Sequence, residues 1–327
     1  YMKKSFLTSI ITLSVLMTSC ASNTSKELSF KVISPIGAPS VAFAKYAKDT
    51  TNVEIAAQPT AVRAQLVNPN EEYKAVIFDA TTGLNLINKT NPDNPGYKLA
   101  RIITAGNLFV LSTGTKDSSH VMSDDDTILS FGQNNIPDKV FKLIYSDITP
   151  DYYANGVAQV AAALKTGQYE GNTIDYVVLS EPYVSQVLNE NSSVTVYANV
   201  TSQFNAYANK RGYNLNGFPQ AGLFIAQSYE TDTYKKDVEA FISTVDNTMS
   251  DLTKKGSSTV KDMDNFSSDA TEQASRFGMN SETLRSLVAD NNRLGYKAGY
   301  YDLESFYKLL NLDAPQANAY SRYWISK

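Results

Sequence analysis

The chain has 327 residues, 43% of them hydrophobic and 19% charged, with a formal net charge of −4. That balance fits a folded globular protein, and it excludes a disordered chain and a general nucleic-acid binder, which would carry a basic face. Past the N-terminal segment about 300 residues remain, enough for two domains held by their own apolar cores.

Lys3 and Lys4 precede an apolar stretch from Phe6 to Met17, which is followed by the small residues Thr18, Ser19 and Ala21 around Cys20. This layout reads as a secretory signal peptide over 1–19, since the apolar run is shorter than the ~20 residues of a bilayer span. Leu16-Met17-Thr18-Ser19-Cys20 resembles a bacterial lipobox, although Met17 stands where Leu is usual. The resemblance implies that Cys20 is lipidated, with palmitate among its acyl chains, and that 20–27 is a flexible tether. Cys20 is the one cysteine of the chain, so no internal disulfide can form.

An alternation of strands and helices follows. Strands are expected over 28–33, 53–57 and 74–78, each followed by a helix: 41–48, 60–67, and one from the turn at Asp79 to about Asn88. Such spacing implies a parallel sheet with right-handed crossovers. Residues 97–104 and 107–112 are two further β-rich runs. Residues 113–127 form a polar segment whose Asp124-Asp125-Asp126 triplet reads as a solvated loop, because a calcium loop needs oxygen ligands spaced around a glycine turn. A second alternation comprises strands at 128–131, 174–179 and 194–200, an extended piece at 148–152, and helices at 137–145, 156–166 and 182–189. Gly167 is placed to end the helix before it. Residues 218–226 read as a strand, 233–254 as a long polar helix, and 268–277, 281–290 and 303–310 as closing helices. The fold class is therefore α/β with two lobes, each a mainly parallel sheet flanked by helices. If the runs at 107–112 and 221–227 form a two-strand hinge, lobe 1 is 28–111 plus 223–327, lobe 2 is 112–222, and the hinge permits closure around a ligand.

Little in the chain points to catalysis. His120, the one histidine, sits in a polar loop, and its expected role is solvated surface. Phosphate-binding, dinucleotide and G-x-S-x-G motifs are absent, and the His and Cys counts exclude a zinc site built from those residues. No cofactor and no metal are expected. What recurs is a turn at the carboxyl end of a strand leading into a helix N-terminus, where unpaired N–H groups and a partial positive charge face a ligand. Candidate ligand-binding residues on these turns are Ser34, Ile36, Gly37 and Ser40; Asp79, Thr81 and Thr82; Asn107; Asn134; Asn155; Glu181 and Tyr183; and Gln220. Asp79 and Glu181 are equally placed to cap the helices that follow them. These turns hold no well-placed basic residue, which favours a neutral or heteroaromatic ligand, with Tyr152, Tyr153 and Tyr183 as stacking candidates.

With its Ser34-Pro35-Ile36-Gly37-Ala38-Pro39-Ser40 turn and its Ile174-Asp175-Tyr176-Val177-Val178-Leu179-Ser180-Glu181-Pro182-Tyr183 run, the chain resembles the solute-binding proteins of ABC importers. Within that family it is most similar to the subgroup for nitrate, sulfonate and thiamine-precursor ligands. The resemblance covers about residues 28–250, and the chain from about 256 matches only as a generic helical ending. It implies a type 2 periplasmic-binding-protein fold and no enzymatic activity. The implied protein is a monomer, exported and lipid-anchored on the outer face of the cell membrane or periplasmic. Its implied partners are a small-molecule ligand, ABC permease and ATPase subunits, and the membrane through the lipid, with no nucleic acid. The alternatives are a two-lobe enzyme of the pyrimidine-precursor-synthase type and a sensory or partner-binding lipoprotein.

Overall fold

The structure is a computed structural model and describes residues 27–68, 70–90 and 93–324. Cys20 and the expected signal peptide lie outside the described residues. In chain order the strands and helices are β1 (Lys31–Pro35), β2 (Val53–Ala56), α1 (Pro59–Leu66), β3 (Tyr73–Asp79), α2 (Ala80–Thr90), β4 (Tyr97–Ile102), β5 (Leu108–Ser112) and β6 (Ile128–Phe131). They continue as α3 (Ile136–Ile144), β7 (Tyr152–Ala154), α4 (Val157–Thr166), β8 (Gln168–Tyr169), β9 (Asn172–Thr173), β10 (Tyr176–Ser180), α5 (Tyr183–Glu190), β11 (Thr195–Asn199) and α6 (Val200–Lys210). The chain closes with β12 (Ala221–Ala226), α7 (Lys235–Leu252), α8 (Ser257–Phe266), α9 (Ala270–Phe277), α10 (Ser281–Ala289) and α11 (Leu303–Leu309).

The described residues build two five-stranded sheets, ordered β2-β1-β3-β12-β4 and β11-β5-β10-β6-β7, and this is the expected two-lobed α/β architecture. Each sheet is mixed, because one strand runs against its neighbours: β12 in the first and β5 in the second. The reason is topological. A strand entered directly from the other lobe starts at the carboxyl ends of the parallel strands and has to run away from them. Long buried runs such as Tyr73–Asp79 and Ala221–Ala226 form central strands covered on both faces.

The expected joints at 107–112 and 221–227 are not the link between the lobes; they are β5 and β12, inside the two sheets. The chain crosses in the short segments before them. There Ala105 pairs with Pro219, Gln220 N donates to Thr104 O at 3.0 Å, and Ala105 N donates to Gly295 O at 2.6 Å. Three backbone segments therefore lie side by side, and side chains are excluded between them. A Cβ on Gly217 would stand 1.9 Å from Ala105 O, and one on Gly295 1.8 Å from Gly106 O.

Two helices lie where the sequence pattern carries no expectation. In α6, Val200, Phe204 and Ala208 make an apolar stripe, and the Asn199 side chain caps the helix by accepting from Ser202 N at 2.9 Å. In α8 only Thr259, Val260 and Met263 are buried, too few to stand out by period. Residues 38–46, expected as an α-helix from 41, form a 3-10 helix. Gly167 ends α4 in the left-handed conformation as expected. Asp126 departs from the solvated loop expected of its triplet. It is buried and accepts from Ser123 N at 2.8 Å, from His120 Nε2 at 2.9 Å, and pairs with Lys116 at 3.2 Å.

One apolar core is continuous across the crossing, where Phe204 of α6 meets Phe218 edge-on at 5.5 Å and Phe306 of α11 at 6.1 Å. Two further cores cover the opposite faces of the two sheets separately. The lobes are thus joined along one side by shared apolar packing.

Gly217→Ala should lower the unfolding free energy by about 3 kcal/mol or more, since it adds overpacking against a carbonyl to a left-handed backbone. Gly171→Ala, with the same sign of φ but nothing within 4 Å of its Cβ, isolates the conformational cost and should lose about 1–2 kcal/mol. Urea denaturation of the two variants reads the difference, and equal losses would mean the crossing tolerates a side chain.

Candidate functional site

Most polar groups of the strand-end turns are spent on the turns themselves. Ser34 Oγ donates to Pro35 O at 3.0 Å and Ser40 Oγ to Gly37 O at 2.8 Å, and both residues are buried. Gly37 allows a close approach, though the approaching group is the chain itself: a Cβ on Gly278 would stand 2.9 Å from Gly37 Cα. Ile36 lies in that same contact. Asp79 caps α2, accepting from Thr82 N at 2.7 Å and Thr81 Oγ1 at 3.1 Å, while burial pushes its carboxyl up. Gln220 is held through its backbone, with N on Thr104 O and O on Ala80 N. Asn134 and Asn155 are exposed, and their backbone N–H groups are bonded to Asp138 and Gln159. Of the aromatic candidates, Tyr153 donates to Asp138 at 2.7 Å, Tyr152 pairs with Tyr169, and Tyr183 opens α5.

Asn107 and Glu181 stand apart from this set. They sit side by side at the cleft ends of β5 and β10, where Glu181 N donates to Asn107 O at 3.1 Å and Asn107 Nδ2 to Glu181 O at 3.2 Å. The Glu181 carboxylate takes Ser185 N at 3.0 Å and Ser185 Oγ at 2.9 Å, the helix-capping role open to it in the sequence. It also meets Arg293 Nη2 at 2.6 Å, across the space between the lobes. Burial pushes the Glu181 carboxyl above the ordinary glutamate value, against the opposing pull of Ser185 and Arg293.

Arg293 belongs to the turn after α10, in the part of the chain that the sequence presents only as a helical ending. Its other arm reaches Asp290 at 3.2 Å, and its guanidinium lies 4.9 Å from the centre of the Phe109 ring. Around it opens a cavity of about 1020 Å³ lined from both lobes. From the second come Asn107, Phe109, Asn199, Thr201, Ser202 and Asn205, so the N-terminus of α6 faces the space. From the first come Lys254, Asp290, Asn291, Asn292, Arg293, Tyr296 and Lys297. Three cations thus face the cavity against the one carboxylate of Asp290. Burial lowers the Lys297 ammonium pKa, and no carboxylate pairs with it among the described residues. The cations that the strand-end turns lack are supplied by the C-terminal region.

Four buried polar atoms on residues that line the cavity make no hydrogen bond: Asn107 Oδ1, Arg293 Nε and Nη2, and the Tyr296 hydroxyl. Buried polar groups are nearly always bonded, so these atoms are open to completion by a ligand, although unpartnered buried atoms also occur away from the cavity, as at Ser130 and Arg276. A sequence signal was present in Asp290-Asn291-Asn292-Arg293-Leu294-Gly295-Tyr296-Lys297. Asn291 and Asn292 both take positive φ there, which marks a tight turn carrying two cations.

No protein-family model matches the chain, and no curated protein sequence does. Solved structures do. The ligand-binding component of an ABC-type import system from Staphylococcus aureus, with zinc bound, superposes with a TM-score of 0.59 at 10% identity, covering 91% of this chain and 97% of that one. The alkanesulfonate-binding protein SsuA of Xanthomonas axonopodis pv. citri, bound to MOPS, gives 0.55 at 13% identity over 92% and 98%. A Candida albicans gene product described as exhibiting the generic periplasmic binding protein structural fold gives 0.54 at 10% over 86% and 89%. At these identities the likeness shows the fold, and the chain has the periplasmic-binding-protein fold. Among the described residues no group of three or more His, Cys, Asp or Glu side chains gathers to hold a metal.

Arg293→Met strands the buried Glu181 carboxylate, and breaking such a pair from one side costs about 3–5 kcal/mol. The pKa of Glu181 is raised by folding. Its contribution to stability is therefore full below the ordinary glutamate value and lost as pH rises through the raised one. The variant raises that pKa further, so its deficit should be greatest in alkaline buffer and shrink as pH falls into the mildly acidic range. Urea denaturation across pH reads this, and a deficit independent of pH would exclude Glu181 as its source.

Proposed function

We propose that this protein is the solute-binding component of an ABC importer, and that it captures a small anionic solute in the cavity between its lobes and delivers it to a permease. One observation carries the reading. The cavity is walled by both lobes, and its wall holds unpartnered buried polar atoms beside cations. Its volume of about 1020 Å³ is at the upper end of the ~300–1,000 Å³ typical of small-molecule sites. The fold supports the reading, since the named neighbours from Staphylococcus aureus and Xanthomonas are binding proteins. Charge favours an anion over the neutral or heteroaromatic ligand suggested by the turns. Lys297 and Arg293 are partly desolvated cations, and the first turn of α6 adds N–H groups and the positive end of a helix dipole.

In this reading the crossing at Ala105 is the hinge, with lobe 1 before it and after β12 begins, and lobe 2 between. Asn107, Asn199, Thr201, Arg293, Tyr296 and Lys297 hold the solute, and Glu181 positions Arg293. The other turn residues named from the sequence shape the lobe edges. Lipidated Cys20 tethers the protein on the outer face of the membrane.

Thermal shifts with methanesulfonate, propionate, nitrate, amino acids and nucleobases test the solute class. An anion at 100 times its Kd should add about 2.7 kcal/mol of stability. Lys297→Met should weaken that anion about tenfold or more, the loss of one charge-assisted contact. A shift only with neutral compounds would overturn the anion assignment, and turnover of the bound compound would overturn the transport reading. Cys20→Ala should release the protein from membranes on fractionation, and a variant that stays membrane-bound would refute the anchor.

A further inference from the structure

We propose that Glu181 sets the affinity of the cavity for anions, because its carboxylate occupies the Arg293 guanidinium that an anionic solute would otherwise take, and so ties the two lobes together before any solute arrives. The identity of the competitor rests on the solute reading above; the bridge between the lobes does not.

Glu181 ends β10 in the second sheet, and Arg293 follows α10 on the first lobe. The 2.6 Å contact between them spans the cleft. Arg293 lines the cavity and Glu181 does not, so an anion in the cavity meets the guanidinium from the open side while the carboxylate holds it from behind. The five guanidinium donors are already partly committed. Nη1 donates to Asp290 and Nη2 meets Glu181 as an ion pair, while neither Nε nor Nη2 makes a well-directed hydrogen bond. An oxyanion prefers the parallel Nε–Nη2 edge; both atoms are buried here, so taking that edge requires the guanidinium to swing toward the cavity and draws Nη2 away from Glu181. What remains is a carboxylate fully buried in its side chain, held only by Ser185. That loss subtracts from the binding energy of every anion.

The groups around Glu181 define the pH behaviour. From the first lobe the cavity presents Arg293, Asp290, Lys254 and Lys297, and from the second lobe the neighbours Ser185 and Asn107 are neutral. A Glu181 deprived of Arg293 takes up a proton, because burial already favours its neutral form. Anion binding is then coupled to proton uptake and tightens as pH falls. Lys297, whose ammonium pKa burial lowers, also gains charge as pH falls, so the share of the trend due to Glu181 is the part that replacing Glu181 removes.

The test uses Glu181→Gln, which keeps the shape and an acceptor for Ser185 N. Titration calorimetry with methanesulfonate and with inorganic sulfate is run on wild type and variant in alkaline and mildly acidic buffer. Inter-lobe distances are measured without solute by paired spin labels on exposed Lys89 and Lys165 replaced by cysteine. The variant should bind the anions about tenfold more tightly at alkaline pH, show a shallower pH trend than wild type, and show a wider distance distribution without solute. Glu181→Asp, which keeps the charge on a shorter arm, should fall between. Unchanged or weaker anion binding in Glu181→Gln overturns the competition, whether or not the lobes open. Opened lobes in a variant that, like wild type, binds no anion would support the bridge and overturn the anionic-solute reading.

Discussion

The structure depends on a place where three stretches of backbone touch. Ala105 lies between Pro219 and Gly295, and both lobes hang from that contact. The approach is possible only because Gly217 and Gly295 carry no side chain, and carbonyls fill the space that a Cβ would need. From this follows the antiparallel sense of β5 and β12, each of which starts at the crossing and leaves it. The cavity follows too. Apolar packing of Phe204, Phe218 and Phe306 joins the lobes on one side, and the polar ends of the strands face each other elsewhere.

Against that frame, charge is distributed unevenly. The Asp138, Tyr153 and Lys142 cluster satisfies itself within the second lobe, and Asp126 does the same for its loop with His120 and Lys116. The cavity wall is different: its donors and acceptors are left over, and its cations outnumber the facing carboxylate. Saturated polar clusters hold a shape, whereas unsaturated ones on a cavity wall leave free energy for a ligand to realise. Glu181 belongs to both kinds, since it caps α5 from within its own lobe and reaches out to the other.

The elements were largely legible. The run at 74–78 read as a strand because it is apolar and covered on both faces. Residues 218–226 read as a strand, but the 221–227 part was expected at the hinge and not inside a sheet. Gly167 read as a stop because the left-handed conformation closes that helix. α8 was not legible, because so little of it is buried, and α6 lies in a stretch between two strong strands where its three-residue stripe carries little weight. Of the residues named from the sequence, Asn107 lines the cavity and Glu181 stands behind it against Arg293. Ser34, Ser40, Asp79 and Thr81 were reasonable candidates by position, yet local capping consumes their polar groups. Sequence distinguishes a spent hydroxyl from a free one poorly, since both fates use the same residue types.

The sequence by itself determined the alternation of strand and helix, the two-lobed α/β class, and the placing of turns at strand ends, because periodicity and turn chemistry act over a few residues. Only the tertiary structure decided where the chain crosses and which cations face the cleft. Arg293 and Glu181 are separated by more than a hundred positions, and their encounter depends on how the last helices pack back onto the crossing. No local pattern encodes that return.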